Sequence, residues 1–370
     1  EMVTKKNAAK LVEVFESLPS HKEMAAVAEA GTAKKGWYAN STQALLAVFA
    51  ADAPRFAALL AALSPQTSVE SNLYNALSTW KNWLKAGRPT SPAKIKKILA
   101  MSVEGDSTMK SVLPAWINNS IRALTHDFAK GPVTISGPKV NSFMQNLVGI
   151  VTEVTNDAWM ANYAGIDQNL FSGATPKAAR DKIGAVGVKG AGYLAANAKV
   201  RQTAAYLTKL TGEAWTPAEV QETVWSWAKA LYEMQSSGVT ATQALEGGAL
   251  TDSIIGAVPD FSLLFTEQER YHSELVEAGY GKELEKLRSG VGSDISPRRG
   301  RAKQFATGEK GSGARSDRER HLSRAARRLT KLKRTREAAK AAKVEGAETT
   351  FSLARKADAD HQAAVESGDT

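Results

Sequence analysis

Apolar residues recur at intervals of three and four along most of the chain, which is the period of an amphipathic helix. The clearest stripe lies within residues 66–85 and consists of Val69, Leu73, Leu77, Trp80 and Leu84. Few stretches alternate apolar and polar residues in the way that a half-buried strand does. The pattern therefore predicts an all-α protein.

Prolines and capping residues indicate where these helices begin. In "LSPQTSVES" the Ser-Pro step at 64–65 separates two helices, because proline disfavours helical geometry in the residue before it. Thr216 is predicted to cap the helix that begins "PAEVQETVW", and Glu219 completes a capping box three residues after the cap. Ser41 or Thr42 is predicted to cap a further helix that runs through "STQALLAVF".

Charge and composition divide the chain. Between residues 298 and 343 there are 17 basic residues and four acidic ones, a local net charge of +13, so the remainder carries −3 of the total of +10. Residues 286–316 are rich in Gly, Ser and Arg and are predicted to be a linker. In residues 317–345 the apolar positions are mostly alanine, so we expect a basic helix that forms on a partner. Residues 346–370 are predicted to be a disordered tail, and residues 1–285 the helical body.

Composition also excludes several kinds of site. The chain has no cysteine, and therefore no disulfide, thiolate nucleophile or iron–sulfur cluster. Its five histidines are scattered without metal-ligand spacing, and we expect neither a metal nor a cofactor. No apolar run approaches transmembrane length and the first 24 residues are polar and charged, so we expect neither a membrane segment nor a signal peptide. Because Glu1 precedes Met2, we expect the chain to be a piece of a larger protein.

Four segments form a series along the chain. The first, "FAALLAALSPQTSVESNLYNAL", contains a helix break followed by a glutamine, and the second, "LPAWINNSIRALTHDF", is a helix that leads into a turn. The third, "SGPKVNSF", places Lys139 at the start of a helix, and the fourth, "VTNDAWMANYAG", places Asp157 eighteen positions later. Over roughly residues 50–165 the series resembles the helix-hairpin-helix DNA glycosylase superfamily. Ile135 is a departure, since it stands where the family's hairpin has a glycine.

The resemblance implies a fold and a chemistry. The fold would be a two-lobed helical body, with a central lobe over about residues 50–165 and a second lobe from the N-terminus plus residues 166–285. Lys139 would attack the deoxyribose as a Schiff-base nucleophile, Asp157 would be the catalytic carboxylate, and Gln66 would be inserted into the DNA. The implied activity is cleavage of an N-glycosidic bond by a DNA glycosylase, with or without AP-lyase activity.

Elementary chemistry favours these residue types at such a site. Cleavage of an N-glycosidic bond builds positive charge on the sugar, which a carboxylate stabilises. A lysine attacks only after it has lost its proton, and the dipole at a helix N-terminus disfavours the cation. Two simpler interpretations stay open: Lys139 as a solvated turn lysine that neutralises a phosphate, and Asp157 as the N-cap of the helix in "AWMANYAG".

Two groups of residues are expected to contact DNA. The first flanks the motifs and would hold the backbone or the extruded nucleotide; it consists of Gln66, Asn118, Asn119, Ser136, Gly137, Asn141, Ser142, Asn156, Trp159 and Lys189. Trp116 is an alternative to Trp159 for stacking on the base. The second group lies in the basic extension, where counterion release gives salt-sensitive binding; it consists of Arg298, Arg299, Arg301, Arg324, Arg327, Arg328, Lys331, Lys333 and Arg334.

Two classes of function follow. The first is a base-excision enzyme that acts on double-stranded DNA, either damaged or modified. The motifs are also similar to a bacteriophage-encoded family, and the alternative is a non-catalytic phage DNA-binding or virion-associated protein that retains the fold. Other phage virion proteins are then further expected partners, and the expected location is the host bacterial cytoplasm or the phage virion.

Overall fold

The described residues of the chain form helices and turns. The computed structural model describes residues 5–103, 112–166, 191–245, 250, 252–254, 259–265, 269–288, 317–335 and 337–342. No strand occurs within these ranges, which confirms the all-α class. The predicted linker is described only at residues 286–288, which end a helix, and the predicted tail lies outside the described residues.

The described helices are numbered in chain order. Their bounds are α1 Lys5–Ser17, α2 His21–Ala30, α3 Trp37–Phe49, α4 Ala53–Ala62, α5 Val69–Lys85, α6 Pro92–Ser102, α7 Pro114–Thr125, α8 Pro138–Leu147, α9 Ala158–Ala164, α10 Ala191–Thr211, α11 Pro217–Ser236, α12 Ala241–Leu245, α13 Glu269–Glu277 and α14 Gly281–Arg288. A further helix, α15, covers residues 317–335, and residues 337–342 are also helical. A 3₁₀ turn, Phe261–Phe265, precedes α13.

One apolar cluster, here called the first lobe, is built from α3 to α8 together with the Phe261–Phe265 turn, α13 and α14. At its centre Phe49 stacks on Phe56, with ring centroids 3.9 Å apart. Trp80 meets Phe56 edge-on at 5.6 Å, and both side chains are fully buried. The first lobe thus draws on α3 and on residues after 260, in addition to the predicted central segment.

A second apolar cluster, here called the second lobe, is built from α1, α2, α9, α10, α11, α12 and α15. Its largest fully buried side chains are Trp227 and Tyr163. Two residues of α11 depart from this assignment, since Ala218 belongs to the first lobe and Trp225 packs against both. Helix α11 therefore follows the boundary between the lobes.

One stretch, Thr32–Ala62, is long and apolar enough to cross a membrane, with a mean hydropathy of 1.7. It begins with the 3₁₀ turn Thr32–Lys34 and continues through α3, a second 3₁₀ turn and α4; Ala50 in the second turn has a φ of 47°. Within its most apolar window, 61% is buried inside the protein. The sequence was expected to contain no apolar run of transmembrane length. This stretch has that length because it joins two core helices of the first lobe.

The basic helix α15 packs on the second lobe of its own chain, contrary to the expectation that it would form on a partner. Its small apolar face, Ala325, Ala326 and Leu329, is buried. Arg328 pairs with Glu23 of α2, a residue 305 positions away, and donates to the backbone oxygen of Tyr163 at 3.0 Å. An isolated helix with so few large apolar residues would be unstable, and α15 is stabilised by these contacts with the second lobe.

Helix starts show which local signals decided the structure. The capping box is confirmed, since the Glu219 N–H donates to the Thr216 hydroxyl at 3.2 Å and the Glu219 carboxylate accepts from the Thr216 N–H at 2.8 Å. The break at 64–65 is also confirmed. The predicted cap at Ser41 or Thr42 is wrong, because α3 begins at Trp37 after Gly36, whose φ is 98°. Ser41 is buried within α3.

Candidate functional site

A cavity of about 600 Å³ lies between the two lobes. Its wall includes Ser64, Gln66, Asn72, Lys139 and Phe143 from the first lobe, and Asn156, Asp157, Trp159, Gln221, Glu222, Trp225 and Lys229 from the second lobe and α11. Its volume is within the range of about 300–1,000 Å³ that is typical of small-molecule sites. Lys139 and Asp157, paired in the sequence by their spacing, therefore face one cavity from different lobes.

The turn before α8 is held by the side chain of Asn119. This buried amide donates to the backbone oxygen of Ser136 at 2.9 Å and accepts the Ser136 N–H at 2.7 Å. The Ile135 N–H donates to the Asn141 side chain at 3.2 Å. Ile135 is 2% exposed in the first lobe and is not among the residues with positive φ, whereas Gly137 has a φ of 100°. The turn therefore needs glycine at 137 and accepts isoleucine at 135.

Lys139 lies in the first turn of α8, after Pro138. Its Nζ donates to the Ser64 hydroxyl at 2.8 Å and lies 5.1 Å from the ring centroid of Phe143. Burial lowers the pKa of Lys139, and the charge of Asp157 acts against this lowering. Lys139 is thus a half-buried lysine at a helix N-terminus with its amine hydrogen-bonded inside the protein, not the solvated turn residue of the simpler interpretation.

Asp157 is the N-cap of α9, as the simpler interpretation predicted, and it also lines the cavity. Its Oδ1 accepts the backbone N–H of Trp159 at 2.9 Å and that of Met160 at 3.2 Å. Its Oδ2 accepts the indole N–H of Trp225 at 2.7 Å. Burial raises the pKa of Asp157, while the charge of Lys139 and these hydrogen bonds lower it. Asp157 therefore caps α9 and also lines the cavity with the same carboxylate.

Gln66 lies in the loop between α4 and α5, on the cavity wall and exposed. Its φ of 63° is unusual for a residue other than glycine and costs roughly 1–3 kcal/mol, which the surrounding structure must offset. Part of that support comes from Trp116, whose indole N–H donates to the backbone oxygen of Pro65 at 3.1 Å. Trp116 is 6% exposed and does not line the cavity, so it supports the loop and is not placed to stack on a base.

The remaining residues of the predicted motif group divide by exposure. Ser136, Gly137 and Trp159 line the cavity, and Trp159 packs edge-on against Tyr232 at 5.0 Å. Asn118 is exposed on α7 outside the cavity wall. Asn119 and Asn156 also line the cavity, but they make hydrogen bonds within the protein: Asn119 braces the turn, and Asn156 donates to Asn197 at 2.5 Å. The half-buried Asn141 also braces the turn, and the buried Ser142 donates to Glu153 at 3.2 Å.

The predicted basic group also divides in two. Arg328 and Lys333 bind the second lobe, since Arg328 pairs with Glu23 and Lys333 donates to the Ser236 hydroxyl at 2.9 Å. The exposed members of α15 are Arg324, Arg327, Lys331 and Arg334. Four residues of the predicted sites lie outside the described residues: Lys189, Arg298, Arg299 and Arg301.

Glu222 is a second carboxyl on the cavity wall, which sequence reasoning missed. It is 2% exposed and accepts the backbone N–H groups of Gly36 and of Tyr38, the latter at 2.9 Å. Burial raises the pKa of Glu222 to about 8, although these backbone donors act to lower it. The signal was present as a lone acidic residue inside the apolar stretch "VQETVWSW", but its partners lie more than 180 positions earlier.

We expect Glu222 to make the stability of the protein fall as pH rises. Its pKa in the folded state lies above the ordinary value of 4.5, so its contribution is fully present below pH 4.5 and is lost as pH approaches 8. The free energy of unfolding should fall by about 1.4 kcal/mol per pH unit in that window. Urea unfolding of the wild type and of Glu222→Gln at several pH values is the measurement. If the free energy of unfolding fell equally with pH in both proteins, a group other than Glu222 would cause the fall.

Compared with known proteins, the chain matches no family model, no curated protein and no solved structure. The resemblance to the helix-hairpin-helix glycosylases therefore stays a prediction from the motifs. A function has to be argued from the cavity and from the residues that line it.

Proposed function

We propose that the protein is a DNA glycosylase with AP-lyase activity, of the two-lobed helix-hairpin-helix type, which cleaves the N-glycosidic bond of an extruded nucleotide. The observation that carries this proposal is that Lys139 and Asp157 come from different lobes and line one cavity. The charge of each side chain also affects the pKa of the other, which supports a joint action on one sugar.

The proposed reaction uses both groups on the deoxyribose. Asp157 stabilises the positive charge that develops on the sugar as the N-glycosidic bond breaks and the base leaves with the bonding electron pair. The neutral amine of Lys139 then forms a bond to C1′ of the sugar and passes a proton to the carboxylate of Asp157. The C1′–O4′ bond breaks, O4′ takes up a proton as the ring opens, and a Schiff base is left on Lys139. Burial supports this role, because it lowers the pKa of Lys139 and so increases the fraction that is unprotonated.

The start of α8 is exposed and is suited to bind a phosphate of the DNA next to the cavity. Ser136 and Gly137 are exposed at the cavity wall, directly before the free N–H groups of this ten-residue helix. A helix N-terminus with exposed N–H groups is suited to bind a phosphate. A phosphate held there would place the adjoining sugar near Lys139, which lies one residue inside the helix.

The exposed cations of α15 support a wider contact with the DNA backbone. Arg324, Arg327, Lys331 and Arg334 recur at three- and four-residue spacing, and so form one stripe on the solvent side of α15. The C-terminal end of α15 is near the cavity, because Lys333 Nζ lies 5.1 Å from the ring centroid of Tyr232, which packs on the cavity residue Trp159. Counterion release from phosphates along this stripe would strengthen binding without reading sequence.

We expect the triple variant Arg327→Ala/Lys331→Ala/Arg334→Ala to weaken duplex binding and to flatten its salt dependence. Each phosphate contact contributes about 0.9 to the slope of log affinity against log salt, so the slope should fall by roughly two to three. Fluorescence anisotropy over a salt series measures it. The matched control, Lys94→Ala/Lys96→Ala/Lys97→Ala, removes three exposed charges from α6. An equal change in the control would mean that net charge, not the stripe, sets the slope.

Base release from defined duplexes tests the proposed function. Duplexes with a single uracil, oxidised purine, alkylated purine or abasic site would be incubated with the full chain and with Asp157→Asn. The proposal expects base release or strand cleavage on at least one duplex, reduced in Asp157→Asn by roughly 10²–10⁴-fold. Absence of release and cleavage on every duplex would sink it.

One observation favours the alternative of a non-catalytic DNA-binding protein. Both oxygens of Asp157 are already engaged, by two backbone N–H groups and the Trp225 indole, as in a purely structural cap. This alternative expects salt-sensitive binding that depends on α15, with no chemistry on any duplex.

A further inference from the structure

Two buried acceptors on the cavity wall have no hydrogen-bond partner. Buried polar atoms in folded proteins are nearly always paired, and each exception calls for an explanation. Asn72 and Asn156 are 3% and 0% exposed, both line the cavity, and the Oδ1 of each lacks a partner. The other unpartnered side-chain atoms among the described residues lie away from the cavity wall.

The free group of Asn156 is an acceptor because its amide nitrogen is already used. Nδ2 donates to the side chain of Asn197 on α10 at 2.5 Å, which leaves Oδ1 without a donor. Asn156 directly precedes Asp157 in the chain. An acceptor in this position therefore lies next to the carboxylate proposed to act on the sugar, where the base attached to that sugar would be held.

Asn72 supplies the corresponding acceptor from the first lobe. It lies in α5, in the turn that follows the N-cap Ser68, and the loop that carries Gln66 leads directly into this helix. Its two neighbours in the cavity wall, Val69 and Glu70, belong to the same turn. The two acceptors thus come from separate lobes, and a ligand that satisfies both has to occupy the space between them.

The rest of the wall suits a flat ring. Trp37, Phe143 and Trp225 line the cavity, and the ring centroids of Trp37 lie 6.3 Å from Phe143 and 6.5 Å from Trp225. The indole N–H of Trp37 donates to the backbone oxygen of Pro259 at 3.1 Å, and that of Trp225 donates to Asp157. Because both indole donors are used inside the protein, these side chains offer apolar surface to a ligand and no hydrogen bond.

We infer that the cavity contains a base-reading subsite, formed by Asn72 and Asn156, for a nucleobase that carries an exocyclic amino group. This inference rests on the proposed function, since it assumes that the extruded nucleotide enters the cavity. Two acceptors require two N–H donors, which an amino-bearing base presents. Bases of the uracil type offer one ring N–H and carbonyl oxygens, which would face the asparagine oxygens unfavourably.

Binding of two matched duplexes tests the subsite. One duplex carries a single mispaired 2-aminopurine and the other carries purine, which lacks only the amino group. The Lys139→Ala protein is used for binding, so that no covalent step consumes the DNA. We expect about ten-fold tighter binding of the 2-aminopurine duplex. Asn72→Leu and Asn156→Leu should each bring the ratio towards one, and Gln202→Leu, exposed on α10 outside the cavity wall, should retain it.

Three outcomes separate this inference from the proposed function. A ratio near one before substitution, or a ratio that neither asparagine variant changes, overturns the subsite even where base release is observed. An amino preference that depends on Asn72 or Asn156, without base release from any duplex, supports the subsite and counts against the proposed chemistry. Asn72→Leu should also leave the unfolding midpoint unchanged or higher, because it removes a buried acceptor without a donor; a clear drop would show that the amide is paired inside the protein.

Discussion

Replacing Lys139 with alanine is expected to abolish the covalent adduct that borohydride traps between the protein and an abasic-site duplex. Removal of an attacking nucleophile typically costs several orders of magnitude in rate, so the yield should fall by roughly three orders of magnitude or more. The fold should survive, because Lys139 makes one side-chain hydrogen bond, to Ser64, and lies at the edge of a cavity. The measurement is the yield of a protein–DNA band on a denaturing gel after reduction.

The control for this prediction is Lys130→Ala. Lys130 lies in the connection that leads into α8, and its side chain is 82% exposed, so it tests whether any nearby lysine can react. We expect its adduct yield to equal that of the wild type. An undiminished adduct yield in Lys139→Ala would contradict the assignment of Lys139 as the nucleophile. If Lys139→Ala lost base release but kept the trapped adduct, cleavage of the N-glycosidic bond and formation of the Schiff base would depend on different residues.

Asn119→Ala is expected to have the largest effect on the turn that positions Lys139. The substitution removes two hydrogen bonds and leaves the N–H and backbone oxygen of Ser136 without their partner. Because Ser136 is exposed, water can replace the lost partner, and at about 0.5–1.5 kcal/mol for each hydrogen bond the free energy of unfolding should fall by roughly 1–3 kcal/mol. Base release should fall as well, since the start of α8 is then no longer held against α7. Urea unfolding measures the loss of stability. An assay of base release at a urea concentration and temperature well below those of unfolding measures the loss of activity separately.

Asn118→Ala is the matched control, because Asn118 precedes Asn119 on α7 but is exposed. Its effect on the free energy of unfolding should stay within about 0.5 kcal/mol, as for most surface substitutions. A similar loss in both variants would assign the effect to helix α7 in general. A small loss in Asn119→Ala would mean that other contacts hold the turn.

Local signals in the sequence were sufficient for several parts of the structure. The capping box at Thr216 and Glu219 involves residues three positions apart, and the break at 64–65 depends on one proline. Lys139 and Asp157 were paired by the order and spacing of the motifs, and both line one cavity. The all-α class followed from the three- and four-residue period alone.

Long-range contacts account for what the sequence did not predict. Helix α3 begins at Trp37, and not at Ser41, because Glu222 accepts the N–H groups of Gly36 and Tyr38 from a helix more than 180 positions away. The basic helix α15 likewise folds against α2 through Arg328 and Glu23. Nothing in the spacing or the residue types indicates in the sequence that Glu222 contacts residues 36–38, or that Arg328 contacts Glu23. Ile135 was a departure from the expected glycine, but its backbone does not require one.

Peptide mapping of the borohydride-trapped adduct by mass spectrometry tests the central claim most directly, namely that Lys139 and Asp157 act together on one sugar in the cavity between the lobes. Wild-type protein would be trapped on an abasic-site duplex, digested, and the modified residue identified. The account predicts that the adduct is on Lys139. An adduct on Lys229, the other described lysine that lines the cavity, or on a lysine of α15, would contradict it.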